Sequence, residues 1–221
     1  MVAPLILALP RGGVPVGCGV ARALNAPLDV LMVRKIGHPA APELGLGAIA
    51  EDRAGGVPEP FFDQEMLAAT KLSREDLADV VTRERAELAR RVAVYRSQPR
   101  SARTHGSTAA GEDPAGGESA GPGEAAMSAD VTGRLVIVVD DGLATGVTAR
   151  AALRAVRAGG AARVMLAVPV AAPAAALAMK KETDEVVTLV TPRRFRSVGE
   201  WYGDFGQLTD ADVLTLLAAI P

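Results

Sequence analysis

The chain has 221 residues, with 24 basic and 26 acidic side chains and a net charge of −2, a balance that gives no pull toward nucleic acid or an anionic membrane. Hydrophobic residues make up 49% but aromatics only 3%, so the core of one domain over 1–221 must come from Val, Leu, Ile and Ala. There is no run of about 18 apolar residues and no basic n-region at the start, so neither a membrane span nor a signal peptide is expected. Residues 5–9 (LILAL) read as a first buried strand. It runs into Arg11, Gly12 and Gly13, a turn that lets a ligand approach the backbone at a strand end. Residues 16–24 read as a helix, with the single cysteine, Cys18, as a small buried hydrophobe. One cysteine allows no internal disulfide and fits a reducing, cytoplasmic setting.

Residues 28–33 (LDVLMV) read as the second strand, ending in the cations Arg34 and Lys35. The next segment, 37–47 (GHPAAPELGLG), has no clear periodicity and reads as a loop, with His38 as either a catalytic loop residue or an incidental one. Glu51 and Asp52 either face a site or solvate a turn. Residues 63–97 are helical in pattern, with Ser73 and Asp76 as a capping box. Leu77, Val80, Val81, Leu88, Val92 and Tyr95 form one apolar face. Glu87 and Arg91 are spaced to pair, worth about 0.2–0.5 kcal/mol. Arg90, Arg91 and Arg96 read as a solvated face or, less simply, as a phosphate or partner patch. Residues 98–130 contain no Leu, Ile, Val, Phe, Tyr or Trp and cannot offset their ordering entropy by burial. The expectation is a disordered insertion following a helical one at 63–97.

The most informative stretch is 136–148, VIVVDDGLATGVT. Four β-branched apolar residues make a strand buried on both faces. Asp140 and Asp141 follow, then Ala144, Thr145, Gly146, Val147 and Thr148 deliver the chain to a helix N-terminus. Free amides and the helix dipole there suit a phosphate. The two carboxylates suit vicinal sugar hydroxyls or a hydrated Mg²⁺. A helix over 148–158 ends at Gly159 and Gly160; then come a strand at 163–168, a helix at 169–181 and a strand at 185–190. This β–α–β order builds a parallel sheet. Phe195, Trp201, Tyr202 and Phe205 cluster before a last helix at 210–220. They form either a surface that stacks on a flat ring or a mini-core pinning that helix.

The 136–148 stretch resembles the signature of type I phosphoribosyltransferases, which bind phosphoribosyl pyrophosphate (PRPP): four aliphatics, two acids, two variable residues, then a small residue with T-G-x-T. It lacks the P-loop pattern. The resemblance implies a Rossmann-like parallel sheet flanked by helices. It also implies a transferase that moves the 5-phosphoribosyl group from PRPP to a nitrogenous acceptor such as a nucleobase, as in nucleotide salvage and nucleoside metabolism. By the same resemblance Arg11, Gly12 and Gly13 hold pyrophosphate, Arg34 and Lys35 neutralise it as it leaves, and residues 37–47 form a lid. Asp140 and Asp141 then hold the ribose and, mainly through water or PRPP, Mg²⁺. Residues 144–148 hold the 5-phosphate, and Phe195 and Trp201 line the acceptor, with Pro192, Phe195, Val198 and Gly199 matching a P-x-x-F-x-x-V-G spacing of purine-specific members. A homodimer is common in such proteins. Members usually carry a helical segment before the first strand; here either the start lies upstream or the cap over the acceptor is reduced. The rival reading is a non-catalytic protein of the same fold that senses PRPP. A hydrolase ranks last, because no nucleophile–base set is visible.

Overall fold

A computed structural model of the chain describes residues 3–52, 58–96 and 129–220. The sequence opens with β1 (Leu5–Ala8), α1 (Gly13–Leu24) and β2 (Leu28–Val30). After the central region come β6 (Leu135–Val139), β7 (Gly142–Leu143), α4 (Val147–Ala158), β8 (Arg163–Ala171), α5 (Pro173–Met179), β9 (Glu185–Val190) and α6 (Asp210–Ala218). Strands β2, β1, β6 and β8 lie side by side and all parallel, with β9 on the far edge of β8 and β7 prolonging β6 along the near one. This is the expected Rossmann-like sheet.

Alternation along each strand divides the apolar residues between two cores. Ile6, Ala8, Ile137 and Val139 face α1, α6 and the central helices. Leu5, Leu7, Val136 and Val138 face α4 and α5. Neither face meets water, which is why β1 and β6 read as unbroken apolar runs. Truncating Leu7 or Leu5, both fully buried, to alanine would cost about 2–5 kcal/mol.

The central region departs from expectation. The second strand ends at Val30, and the chain re-enters extended structure as β3 (Val33–His38), which turns back into β4 (Ala41–Ala50). With β5 (Pro60–Phe62) these make a separate antiparallel sheet in the order β3-β4-β5. The 37–47 segment is therefore a β-hairpin and not a loop. Its glycines are the cause of the misreading: a Cβ on Gly37 would collide with the Pro42 carbonyl, and one on Gly47 with that of Phe61. They permit close strand approach where the pattern suggested breaks.

The expected 63–97 helix is interrupted. Asp63 caps α2 (Gln64–Thr70), accepting from the amides of Glu65 and Met66 at 3.1 and 3.2 Å. Lys71, at φ 56°, ends it. A short 3₁₀ turn (Glu75–Leu77) then leads into α3 (Ala78–Arg96). The Ser73–Asp76 capping box forms as expected, and Glu87 meets both Arg91 (2.9 Å) and Arg90 (2.7 Å). Arg96 fits neither earlier alternative. It is largely turned inward, bonding Asp29 at 2.9 and 3.1 Å, Glu51 at 2.8 Å and the Val30 carbonyl at 3.1 Å. Glu51 therefore belongs to the interior and not to a solvated turn. The amide of Ala129 bonds the same Asp29 at 3.0 Å.

Residues 169–171 lengthen β8 instead of starting a helix; α5 begins at Pro173, whose missing N–H is harmless in a first helical turn. The expected disordered insertion at 98–130 lies, but for its last two residues, outside the described residues. No helix among the described residues is long and apolar enough to cross a membrane.

Candidate active site

The carboxyl ends of β1 and β6 bring two loops into contact. A Cβ on Gly12 would collide with the Asp141 carboxylate, and one on Gly13 would lie 2.7 Å from the Val139 carbonyl and 2.9 Å from Asp140 Cα. The Arg11–Gly13 turn therefore lies directly against the two carboxylates, as two glycines at adjacent strand ends allow. Asp140 and Asp141 are both half-buried, and Asp140 Oδ1 accepts the Asp141 amide at 2.9 Å. Burial, with the neighbouring Asp141 charge, pushes the Asp140 carboxyl well above the usual range. Burial also raises Asp141, against amide hydrogen bonds that favour its charged form. Such a pair is short of positive charge. Oxygen donors of this kind suit a hard cation such as Mg²⁺ and suit sugar hydroxyls. Among the described residues there is no group of three or more His, Cys, Asp or Glu arranged to hold a metal, so a cation here would draw most of its ligands from elsewhere.

Past β7 the chain forms a bare cradle. Ala144 and Thr145 are exposed, Gly146 stands at φ +79° as the N-cap of α4, and no side chain caps that helix. Among the described residues the amides of Ala144, Thr145 and Gly146 have no hydrogen-bond partner, and those of the first turn of α4 are likewise available. The contrast with α2 and α6 is informative. Those helices are closed by Asp63 and by a Thr209–Asp212 capping box. α1, which starts beside the carboxylates, also lacks a side-chain cap, but its Gly13 and Val14 amides bond the carbonyls of Leu9 and Arg11 at 3.1 and 3.2 Å. The unpartnered amides thus gather at the start of α4, the arrangement that binds phosphate.

The expected cations divide. Lys35 lies on the face of the small sheet turned toward α4: its stem passes Gly45, which neighbours Val147. Its Nζ rests 3.2 Å from both the main-chain carbonyl and a carboxylate oxygen of Glu43. Arg34, the next residue along the strand, is held by Glu84 of α3 at 2.7 and 3.0 Å. Its charge is already matched, and it fixes β3 against α3. Arg11 stands 3.9 Å from Asp210 at the start of α6. His38 accepts the Ala40 amide on Nδ1 at 3.0 Å, closing the hairpin turn.

The aromatic segment folds over the carboxylate turn. Val198 seats against Gly142, where a Cβ would come within 2.6 Å of it. The Tyr202 hydroxyl donates to the main-chain carbonyl of Asp141. Burial and the two carboxylates push that hydroxyl up to about 12, so it stays a donor. Phe205 lies 5.1 Å from the Tyr202 ring. Trp201 and Phe205 are 44% and 48% exposed, so they are not a mini-core; Phe195 is half-buried. Sequence reasoning chose Phe195 and Trp201 and passed over Tyr202. The missed signal was chemical: Tyr202 alone in that cluster has a hydroxyl able to reach a strand-end carbonyl.

A wider cleft of about 830 Å³, bounded by Phe61, Arg74, Arg150, Arg154 and Glu182, contains none of the residues expected to hold PRPP or the acceptor, though Glu51 and Asp52 line it. Its arginines are largely matched: Arg154 bonds Glu182 at 3.0 and 3.1 Å, and Arg150 lies 3.5 Å from both Asp63 and Glu182.

The sequence model of the phosphoribosyl transferase domain matches residues 85–200, which includes the whole of the carboxylate turn and cradle. The chain belongs to the phosphoribosyl transferase family. Two curated relatives from Mycobacterium tuberculosis strains, CDC 1551 / Oshkosh and H37Rv, are each named as a “Putative phosphoribosyl transferase”. Each is 39% identical to this family member over 215 residues, 97% of the present chain and 41% of its own length. The chain thus spans about two-fifths of the curated relatives it matches. The crystal structure of TT1426 from Thermus thermophilus is similar throughout, with 36% identity, a TM-score of 0.69, and coverage of 100% of this chain and 89% of that one. For a phosphoribosyl transferase the position of the site at the carboxyl edge of the sheet follows the general rule for open α/β folds.

Proposed function

We propose that the protein transfers the 5-phosphoribosyl group from PRPP to a nitrogenous acceptor, a nucleobase, with release of pyrophosphate. The observation that carries this is the bare cradle over 144–149 set beside a half-buried carboxylate pair. A phosphate would take the unpartnered amides and the hydroxyls of Thr145 and Thr148. The ribose hydroxyls would then fall to Asp140 and Asp141. The Arg11–Gly13 turn and Lys35 would receive the pyrophosphate, with Arg34 holding β3 so that Lys35 is presented. Phe195 and Trp201 would flank the acceptor ring.

In the reaction the acceptor nitrogen forms a bond to ribose C1 as the bond from C1 to the pyrophosphate oxygen breaks; that electron pair leaves with pyrophosphate, and the proton of the acceptor N–H is released to solvent. Negative charge grows at the leaving group, where Arg11, Lys35 and the loop amides would meet it. Positive charge grows on the ring, where the carboxylates lie. Asp140 and Asp141 would hold Mg²⁺ mainly through water and PRPP oxygens, and the bound ion would neutralise the pyrophosphate. The chain's own contribution is then positional, aligning two reactants in place of acid–base chemistry.

The test is pyrophosphate release from PRPP and Mg²⁺ across a panel of purine and pyrimidine bases. Release with one base and not the others is expected. Tight PRPP binding with no release from any base would favour the sensing role, and no PRPP binding would overturn both.

A further inference from the structure

The strap formed by residues 198–205 is fastened to the candidate site, and one of its fastenings acts on a functional group. The Asp141–Gly142 peptide is planar, so its carbonyl and its N–H point in opposite directions. Tyr202 holds the carbonyl. With that peptide plane fixed, Asp141 is pinned at its main chain, and its carboxylate projects from the pinned residue to lie against the Gly12 turn. The ring of Tyr202 is kept in place by Phe205, itself seated on Gly199, and Val198 fills the space over Gly142. A single hydroxyl therefore fixes the main chain of the residue that carries the carboxylate.

We propose that Tyr202 is a positioning residue: through the Asp141–Gly142 peptide it holds the Asp141 carboxylate in the orientation that receives the ribose hydroxyls of PRPP. This rests on the phosphoribosyl reading above. It extends that reading by tying the strap mechanically to the sugar site. Trp201, the chain's single tryptophan, adjoins Tyr202 and is partly exposed, so its emission reports on the strap.

The test uses the full chain, wild type and Tyr202→Phe, titrated with PRPP and Mg²⁺ by calorimetry and by tryptophan fluorescence, with thermal melts of the unliganded proteins. Phenylalanine keeps the ring and its packing and removes only the donor. Losing one such hydrogen bond is expected to raise the Kd for PRPP about 3- to 10-fold. The emission change at saturation is expected to shrink, because the strap no longer follows the turn. A lower melting point with a Kd within twofold of wild type and a full emission change would mean that the hydroxyl only stabilises the fold, and would overturn the inference alone. Failure of the wild type to bind PRPP would overturn the proposed function and this inference with it.

Discussion

Adding one methyl group at Gly12 gives a sharp test of the loop contact. Gly12 has φ −61° and ψ −33°, which alanine adopts freely, and removing glycine's freedom in the unfolded chain should stabilise by about 0.4–1 kcal/mol. Against this, the new Cβ meets the Asp141 carboxylate, a side chain that can rotate away. Overpacking of this kind costs about 1–3 kcal/mol. The net loss for Gly12→Ala should be about 0–2.6 kcal/mol, or up to about 10 °C in melting temperature at about 2–4 °C per kcal/mol. Function should suffer more. A displaced carboxylate forfeits charge-assisted hydrogen bonds worth about 1.5–3 kcal/mol, a weakening of PRPP binding of roughly 10- to 150-fold. Gly13→Ala behaves differently, because its Cβ meets the Val139 carbonyl and Asp140 Cα, backbone that cannot rotate aside. It should lose more stability than Gly12→Ala. Calorimetric titration with PRPP and Mg²⁺, beside thermal melts of both variants, measures this. A Gly12→Ala protein with wild-type affinity, or a Gly13→Ala protein as stable as wild type, would refute the assigned loop contact.

Two further outcomes follow from the charges. Asp140 is held above its ordinary carboxyl range, so the folded state binds its proton more tightly than the unfolded chain does. Its stabilising contribution is complete below the unfolded carboxyl value and is lost as pH rises through the folded one. Asp140→Asn should raise the melting temperature of the unliganded protein at pH 7, flatten its fall between acid and neutral pH, and abolish PRPP binding; a lower melting point at pH 7 would contradict this. Arg96→Leu removes a partner shared by the buried Asp29 and Glu51 and should cost about 3–5 kcal/mol, read by urea denaturation. A loss below about 1 kcal/mol would show the cluster to be slack.

Much of the fold was legible because the parallel sheet is built from unbroken apolar runs. Residues 136–139 could be buried only on both faces, and the carboxylates and small residues after them could lie only at the strand end. The hairpin was hidden because Gly37 and Gly47 serve close approach to Pro42 and Phe61 on the facing strands, a role that apolar periodicity does not carry. The break at Lys71 was hidden because a left-handed helix end usually advertises itself by glycine or asparagine, and here a lysine adopts it. Arg96 and Tyr202 share a different cause. Each takes its role from a partner 61 to 67 residues away, Asp141 for Tyr202 and Asp29 for Arg96, and composition cannot anticipate such pairings.

The Asp29 carboxylate has a wider architectural effect. It receives the Arg96 side chain at the end of α3 and the Ala129 amide shortly before β6, so the chain departs and returns at one anchored point. Such a junction brings both ends of the intervening stretch onto one carboxylate of β2, so that the strand is held at a point common to both.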